Sequence, residues 1–205
     1  LDGTLTDALD GIANSIRHAL AQIRRPIAPE ADLRWCVGPP IRDVFLELLG
    51  AHGPVDDAIK IYRERYGSIG LFENRVYPGV TEMLARVHAG ASLFVCTSKR
   101  QRFAEKIVRH FAIDGFFTGV FGTGDDGRFD DKGVLVRHIL ESSSLDASKV
   151  VFVGDRAHDI RAALANHVIA VGVTYGYGSR EELIAAGANL ICESPLGVAD
   201  TLTRE

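Results

Sequence analysis

Carboxylate, hydroxyl and lysine side chains occur in four short segments of this 205-residue chain. In chain order these segments are Asp2-Gly3-Thr4, Thr97-Ser98, Lys132, and Gly154-Asp155 with Asp159. Carboxylate oxygens are ligands that Mg²⁺ prefers in proteins. Hydroxyls and backbone N–H groups at a helix N-terminus bind phosphate oxygens, and a lysine ammonium binds them as a point charge. Together the four segments predict phosphate chemistry supported by a divalent cation.

Each segment also has an ordinary structural interpretation. Asp-Gly is a turn dipeptide, and Thr97 stands where a helix N-cap is expected. Most lysines lie on the surface, so Lys132 alone indicates little. Asp155 and Asp159 suit the first turn of a helix, where the helix dipole favours carboxylates, and His158 between them is expected to be a surface residue. The functional interpretation therefore depends on the segments occurring together.

The second half of the sequence alternates strand-like and helical patterns. Continuous apolar runs at 93–96, 150–153 and 168–171 are typical of parallel strands buried on both faces. Amphipathic segments lie between them, so the pattern predicts an α/β fold with a doubly wound parallel sheet and right-handed crossovers. Ligands bind beyond the carboxyl ends of strands in such sheets. Thr97 and Asp155 are expected at those ends.

Residues 9–78 have a different pattern. Apolar residues recur at helical spacing from Leu9 to Ile23, and further helical patterns follow at 40–49 and 55–69. No strand-like run is obvious in this part of the sequence. We therefore expect an all-helical insert at 9–78, and an α/β core formed by 1–8 and 79–205.

The order and types of these segments resemble the motifs of the haloacid dehalogenase (HAD) superfamily, in its phosphatase branch. The resemblance implies a Rossmann-like core with an inserted helical cap of the C1 type. The first motif of that family is an apolar strand followed by Asp-x-Asp-Gly-Thr, and Asp2-Gly3-Thr4 matches its second half. The nucleophilic aspartate and the first strand are therefore expected immediately before Leu1.

The resemblance also implies a role for each segment. Asp2 would be the general acid and base, and its backbone carbonyl would be a metal ligand together with Asp155 and Asp159. Thr97, Ser98 and Lys132 would bind the phosphate of the substrate. The family often has Lys-Pro at the lysine motif, whereas this chain has Lys132-Gly133, which leaves Lys99 as an alternative phosphate-binding lysine.

Two further segments resemble loops near the substrate of capped relatives. Arg42, in the segment 38–42, is expected to bind a second anionic group of the substrate, with a solvated arginine at a helix start as the alternative. The segment 172–178 is either a mobile loop near the site or a plain connection.

The implied activity is Mg²⁺-dependent hydrolysis of small phosphate monoesters through an aspartyl-phosphate, as in phosphoglycolate phosphatases. Alternatives are a 5′-nucleotidase acting on nucleoside monophosphates, a phosphomutase, and a non-catalytic phosphate-binding or phosphoacceptor protein. A dehalogenase is disfavoured because it would not need the two aspartates at 155 and 159.

Composition restricts the partners. With 46% hydrophobic residues, 24% charged residues and a net charge of −4, the chain gives no reason to expect a nucleic-acid polymer or a membrane as partner. A small phosphorylated metabolite is the expected partner, and the oligomeric state stays open. Three widely spaced cysteines, with no apolar run of about 18 residues and no visible signal peptide, predict a cytoplasmic protein.

Overall fold

Alternating apolar runs and amphipathic stretches form the strands and helices of the computed structural model, which describes residues 1–203. In chain order the strands are β1 (Thr6–Asp7), β2 (Arg75–Val76), β3 (Leu93–Arg100), β4 (Phe117–Thr123), β5 (Val151–Gly154), β6 (Ile169–Val173) and β7 (Leu190–Cys192). The α-helices are α1 (Leu9–Gln22), α2 (Ile41–Leu49), α3 (Val55–Arg65), α4 (Val80–His88), α5 (Gln101–His110), α6 (Lys132–Ser142), α7 (Ala157–Leu164), α8 (Arg180–Ala185) and α9 (Pro195–Leu202). The three predicted apolar runs are therefore β3, β5 and β6.

The chain divides into two units. An α/β unit consists of Leu1–Thr6 with the chain from Val76 onward, and a helical unit consists of Asp7–Arg75. The sequence predicted the division after residue 8 and before residue 79, whereas it falls after residue 6 and before residue 76.

The α/β unit has parallel strands, but they form two separate pieces. Strand β3 pairs in parallel with β4, and β5, β6 and β7 form a second parallel group in that order. Within residues 1–203 no strand pairing joins the two groups. The predicted α/β class with parallel strands is present, and one continuous doubly wound sheet stays a prediction. Both groups nevertheless contribute to one apolar cluster, which includes Val95 of β3 and Val171 and Val173 of β6. The strand expected before Leu1 stays a prediction.

Helix α5 shows why the amphipathic segments pack as predicted. Its buried side chains are Phe103, Ala104, Ile107 and Val108, which lie at the spacing of one helix face. Its polar residues face the other way. The sequence pattern therefore predicted this helix correctly from local information.

The helical unit contains α1, α2 and α3, followed by a π-helical turn at Tyr66–Gly70. Its core includes stacked rings, with Tyr62 and Tyr66 at 5.3 Å between centroids. Helix α1 packs closely on the π-helical turn at Gly11, where a Cβ atom would lie 2.0 Å from the Gly70 carbonyl oxygen. Residues 9–65 thus contain three α-helices, whereas strand β2 (Arg75–Val76) lies inside the range 9–78 for which an all-helical insert was predicted.

The three cysteines of the chain are free thiols. In the described part of the chain, no helix combines the length and the apolar character required to cross a membrane.

Candidate active site

A tight turn at Leu1–Thr6 places the beginning of the chain against Asp155. The Gly3 N–H donates to the Thr6 carbonyl at 2.8 Å, and Gly3 has a φ of +77°. A Cβ atom at Gly3 would lie 2.0 Å from Asp155 Oδ2. Any side chain at this position would be strained and would displace the carboxylate, so the turn requires glycine.

Asp155 directly follows β5 and is only 2% exposed. Its Oδ1 accepts a hydrogen bond from the Thr4 hydroxyl at 3.1 Å, and its Oδ2 accepts one from the Tyr177 N–H at 3.0 Å. Burial raises the pKa of Asp155 to about 6, and the nearby negative charge of Asp159 adds to the rise. Because both of these donors are neutral, a cation beside Asp155 would stabilise its charged form.

The loop at 174–178 packs directly against Asp155. A Cβ atom at Gly176 would lie 2.2 Å from the Gly3 carbonyl oxygen and 2.4 Å from Asp155 Cβ. A Cβ atom at Gly178 would lie 2.0 Å from the Asp155 carbonyl oxygen. The structure therefore places this loop at the site, where its small residues let the backbone approach the carboxylate.

Lys132 begins α6 and forms a buried ion pair with Asp159. The distance from Lys132 Nζ to Asp159 Oδ1 is 2.5 Å, and Asp159 Oδ2 accepts from the Arg156 N–H at 3.0 Å. Burial alone would raise the pKa of Asp159, but the positive charge and hydrogen bond of Lys132, together with other nearby groups, outweigh burial and lower that pKa to about 2. Burial would lower the pKa of Lys132, but the neighbouring negative groups, Asp159 first among them, together raise it. Both side chains are therefore charged near neutral pH.

The start of α6 is held by two contacts that fix the position of Lys132. Asp131 caps the helix, since its Oδ1 accepts from the Val134 N–H at 2.8 Å. The Asn166 side-chain amide donates to the Gly133 carbonyl at 3.0 Å and to a carbonyl of α7 at 2.8 Å. Lys132 thus lies at a helix start that is held by side-chain hydrogen bonds.

Asp2 forms a second buried ion pair, with Lys99. Lys99 Nζ lies 2.8 Å from Asp2 Oδ2, and the two side chains are 7% and 13% exposed. The other oxygen, Asp2 Oδ1, is buried and has no hydrogen-bond partner among residues 1–203. Sequence reasoning considered Lys99 only as an alternative to Lys132 and missed this pairing. No local signal in the sequence identified the pairing, because the pairing of β3 with β4 is irregular between Cys96 and Arg100.

Thr97 is not a helix N-cap, and this expectation was wrong. Strand β3 continues three residues beyond it, and α5 begins only after Arg100. The pairing of β3 with β4 is irregular between Cys96 and Arg100, so Thr97 and Ser98 lie outside the regular ladder. The buried Thr97 hydroxyl accepts a hydrogen bond from the Lys99 N–H at 3.2 Å.

The predicted acidic and basic groups converge around the Leu1 backbone nitrogen. That nitrogen is buried, and the charges of Asp2, Lys132, Asp159 and Asp155 all act on it. The four residues come from three distant segments of the sequence. The structure therefore brings together the carboxylates and the lysine of the predicted site.

Two residues differ from or extend the predicted site. His158 was expected at the surface, but its Nε2 lies 3.7 Å from Asp159 Oδ1. Burial, with the nearby charge of Lys132, lowers the pKa of His158 to about 4, so it is neutral at pH 7. The first turn of α7 packs into the site and covers it. Arg42 belongs to the helical unit, where it pairs with Asp56, and its role toward substrate stays a prediction.

Asp155 and Asp159 suit a magnesium ion chemically. Both carboxylates are buried, and they are close enough for the charge of Asp159 to raise the pKa of Asp155. Mg²⁺ is commonly bound by one or two carboxylates together with several waters. Across residues 1–203 no group of three His, Cys, Asp or Glu side chains is placed to hold a metal ion. The side chains present therefore fit a two-carboxylate site, and the ligand role of Asp2 through its backbone carbonyl stays a prediction.

The sequence profile of the haloacid dehalogenase-like hydrolases matches residues 1–173. The chain therefore belongs to this family, as the motifs predicted.

Three curated relatives show the range of activities named within this similarity. A 5′-nucleotidase of Pseudomonas aeruginosa is 42% identical over 187 residues, which cover 90% of this chain and 85% of that protein. A phosphoglycolate phosphatase of Pseudomonas fluorescens is 30% identical over 214 residues, covering 100% of this chain and 75% of that protein. Tyrosine-protein kinase PtkA of Mycobacterium tuberculosis is 39% identical over 180 residues, covering 87% of this chain but only 61% of the kinase.

A solved structure supports the same class. A predicted phosphatase from Clostridium acetobutylicum superposes with a TM-score of 0.92 at 34% identity, covering 98% of this chain and 94% of that one. The family and its phosphatase relatives confirm the predicted enzyme class, a hydrolase of the phosphatase type.

Proposed function

We propose that this protein is a Mg²⁺-dependent phosphatase that hydrolyses small phosphate monoesters through an aspartyl-phosphate. The observation that carries the proposal is the convergence of Asp2, Lys132, Asp155 and Asp159 on the Leu1 nitrogen. The motif places the nucleophilic aspartate directly before Leu1. The carbonyl carbon of that aspartate would be bonded to the Leu1 nitrogen. The side chain of the nucleophile would therefore lie close to these four residues.

Several effects must act together in such an enzyme. Phosphate monoester hydrolysis is accelerated by up to ~10²¹ in the most demanding cases. One general acid contributes only ~10²–10⁴, so a single carboxylate is not enough. Covalent chemistry, positioning of the phosphate and neutralisation of its charge must supply the rest.

The reaction we propose has two steps. In the first, the upstream aspartate attacks phosphorus, the bond from phosphorus to the ester oxygen breaks, and Asp2 donates a proton to the departing oxygen. In the second, Asp2 accepts a proton from water while the water oxygen attacks the aspartyl-phosphate. Phosphate leaves and the nucleophilic carboxylate is restored, so Asp2 ends in the protonation state in which it began.

The negative charge of the phosphate would be neutralised by groups that hydrogen bonds and ion pairs already hold in position. Lys132 would bind phosphate oxygens from the first turn of α6, and Thr97 and Ser98 would orient them from the irregular end of β3. When held by Asp155 and Asp159, Mg²⁺ would offset the negative charge of the phosphate. The bonds from Thr4 and Tyr177 keep Asp155 in one orientation for this task.

Nucleoside 5′-monophosphates are the substrate class that we propose first. The relative named 5′-nucleotidase shares 42% identity with this chain, against 30% for the phosphoglycolate phosphatase. Segments 97–99 and 175–178 also look like those of nucleotidases. Phosphoglycolate, the substrate class suggested by the sequence motifs as a whole, is the second candidate.

Phosphate release from a set of esters tests the proposal. The full-length protein would be incubated with nucleoside monophosphates, phosphoglycolate and sugar phosphates, with Mg²⁺ or with EDTA. We expect inorganic phosphate to appear in equal amount to the ester consumed, with the fastest release from nucleoside monophosphates. EDTA should stop the reaction and added Mg²⁺ should restore it.

The same experiment separates the alternatives. A phosphomutase would form an isomeric ester without net phosphate release. A kinase like the tyrosine-kinase relative, given a nucleoside triphosphate and a tyrosine acceptor, would transfer the phosphoryl group to the tyrosine hydroxyl and release little inorganic phosphate. A phosphoacceptor would retain one phosphoryl group per protein and not turn over. Any of these results would contradict the proposed phosphatase.

A further inference from the structure

We propose that Lys99 is a positioning residue that holds Asp2 in place for proton transfer. This inference rests on the proposed phosphatase function and adds a residue to it. Lys99 would not bind the phosphate of the substrate. It would act through Asp2 by anchoring one of its two carboxylate oxygens.

The two oxygens of Asp2 have different surroundings. Oδ2 lies 2.8 Å from Lys99 Nζ, whereas Oδ1 is buried and lacks a hydrogen-bond partner within residues 1–203. A buried polar atom without a partner is costly unless a ligand completes it. The departing oxygen of a substrate, or the attacking water, would complete Oδ1. Lys99 thus leaves one oxygen of Asp2 directed to the reaction.

Anchoring matters because the carboxyl group of an aspartate rotates readily. Its terminal torsion has a broad energy minimum, so packing alone fixes it weakly. A charge-assisted hydrogen bond from a buried ammonium is a strong restraint. The same oxygen of Asp2 can then serve as acid in the first step and as base in the second without reorienting.

The backbone of Lys99 ties this anchor to the phosphate-binding segment. Its N–H donates to the Thr97 hydroxyl at 3.2 Å, and the segment lies where the β3–β4 ladder is irregular. The departure from the regular strand therefore presents the Thr97 hydroxyl and the Lys99 ammonium from one short segment. Lys132 lies in a different element, helix α6, and is paired with Asp159.

The leaving group of the substrate offers a selective test. A nucleoside 5′-monophosphate releases a poor leaving group that needs a proton, whereas p-nitrophenyl phosphate releases a good one that needs little help. We expect Lys99→Met to lower kcat/KM, which reports the steps up to formation of the aspartyl-phosphate, for the nucleotide by roughly 10–10² more than for the aryl ester, within the range of general-acid effects. KM should stay nearly unchanged for both substrates. Lys106→Met, at an exposed lysine of α5, is the matched control and should leave both reactions unchanged.

A double variant tests whether Lys99 acts through Asp2. In Asp2→Asn, adding Lys99→Met should cause little further loss of kcat, because residues that act as a unit are not additive. This double variant also removes both charges of the buried pair, so it keeps the test available if Lys99→Met alone does not fold. Lys99→Arg keeps the positive charge and should recover part of the nucleotide reaction.

The outcomes are distinct. Equal losses of kcat/KM for both substrates, a rise in KM for both, full additivity with Asp2→Asn or an unchanged Lys99→Met would each overturn the positioning role. A wild-type protein that hydrolyses neither substrate with Mg²⁺ would instead overturn the proposed function, and the role of Lys99 with it.

Discussion

Two buried lysine–aspartate pairs lie in the site, and they differ in how many oxygens of the aspartate already have a hydrogen-bond or ion-pair partner. In the pair of Lys132 and Asp159, both carboxylate oxygens are engaged, one by the ammonium and one by the Arg156 N–H. In the pair of Lys99 and Asp2, only Oδ2 contacts the lysine, and Oδ1 is the buried atom without a partner. Burial is similar in the two pairs, so burial does not explain the difference.

The comparison separates a charge-holding pair from a proton-transfer pair. Asp159, with its pKa lowered to about 2 by Lys132, stays ionised and suits a metal ligand. An acid that must give up and take back a proton needs an oxygen that can face the reacting group. Asp2 has such an oxygen and Asp159 does not. Similar side chains thus acquire different roles from the number of donors around them.

The largest expected effect is on turnover and concerns Asp2. Asp2→Asn keeps the shape of the side chain but removes the acid and base, so kcat for a nucleoside monophosphate should fall by roughly 10²–10⁴. Phosphate release measures the effect. Asp10→Asn, at an exposed aspartate of α1, should leave kcat unchanged. Equal activity of Asp2→Asn and the wild type would remove the distinction between the two pairs.

The second expected effect is on stability and concerns Lys132. Lys132→Met leaves Asp159 buried without its cation, which should lower the free energy of unfolding by about 3–5 kcal/mol. Urea unfolding of the metal-free protein measures this change. Lys106→Met should change the free energy by no more than about 0.5 kcal/mol, because that side chain is exposed. A similar small change in both variants would show that the Lys132 pair is not needed for folding.

The low pKa of Asp159 predicts a loss of stability in acid. Because the folded pKa is about 2 and the ordinary value is 3.8, the native state favours the ionised form. Stability from this group is therefore fully present above about pH 4 and is lost as the pH falls toward 2, by on the order of 2 kcal/mol. Unfolding of metal-free wild type between pH 5 and 2 should show it, and Lys132→Met should show much less.

Asp155 should show the opposite dependence and thereby serve as the contrast. Its folded pKa is raised to about 6 by burial and by Asp159, so the native state holds its proton more tightly than the unfolded chain. Metal-free stability should therefore fall as the pH rises from about 4 to 6. Mg²⁺ should reverse this fall, and Asp155→Asn should abolish it. If the free energy of unfolding changed with pH in the same direction in both pH ranges, the roles assigned to the two aspartates would be contradicted: Asp159 paired with Lys132, and both aspartates as ligands of the metal.

Local patterns in the sequence predicted the parts of the fold that depend on local physics. The continuous apolar runs became β3, β5 and β6, and the segments with helical spacing between residues 9 and 69 became α1, α2 and α3. Asp155 after a strand and Lys132 at a helix start also followed from order along the chain. These features need no knowledge of distant contacts.

The errors arose where a distant contact decides the outcome. Thr97 is not the N-cap of a helix, because β3 continues beyond it through an irregular pairing with β4. The residues of β3 alone do not indicate this pairing. The partner of Asp2 was missed because Lys99 meets it only after folding. His158 is half-buried because α7 packs its first turn into the site. Helical spacing could not distinguish that position from the surface.

The smallest expected effect on stability concerns the pair of Arg42 and Asp56 in the helical unit. These side chains are 58% and 83% exposed, and an exposed ion pair contributes only about 0–1 kcal/mol. Arg42→Ala should therefore leave the urea midpoint nearly unchanged, in contrast to Lys132→Met. If the guanidinium binds a second anionic group of the substrate, the same variant should raise KM for phosphoglycolate, which carries a carboxylate. KM for a substrate whose only anionic group is the phosphate should stay the same.

Asp56→Asn is the matched variant for this last prediction, because it breaks the same ion pair but keeps the arginine. It should leave both KM values unchanged, whereas Arg42→Ala changes one of them. Equal KM values for all three proteins would identify Arg42 as a solvated arginine at the start of α2. In that case the exposed pair of Arg42 and Asp56 would have no role in the reaction. Of the ion pairs compared, only the two buried lysine–aspartate pairs would take part in it.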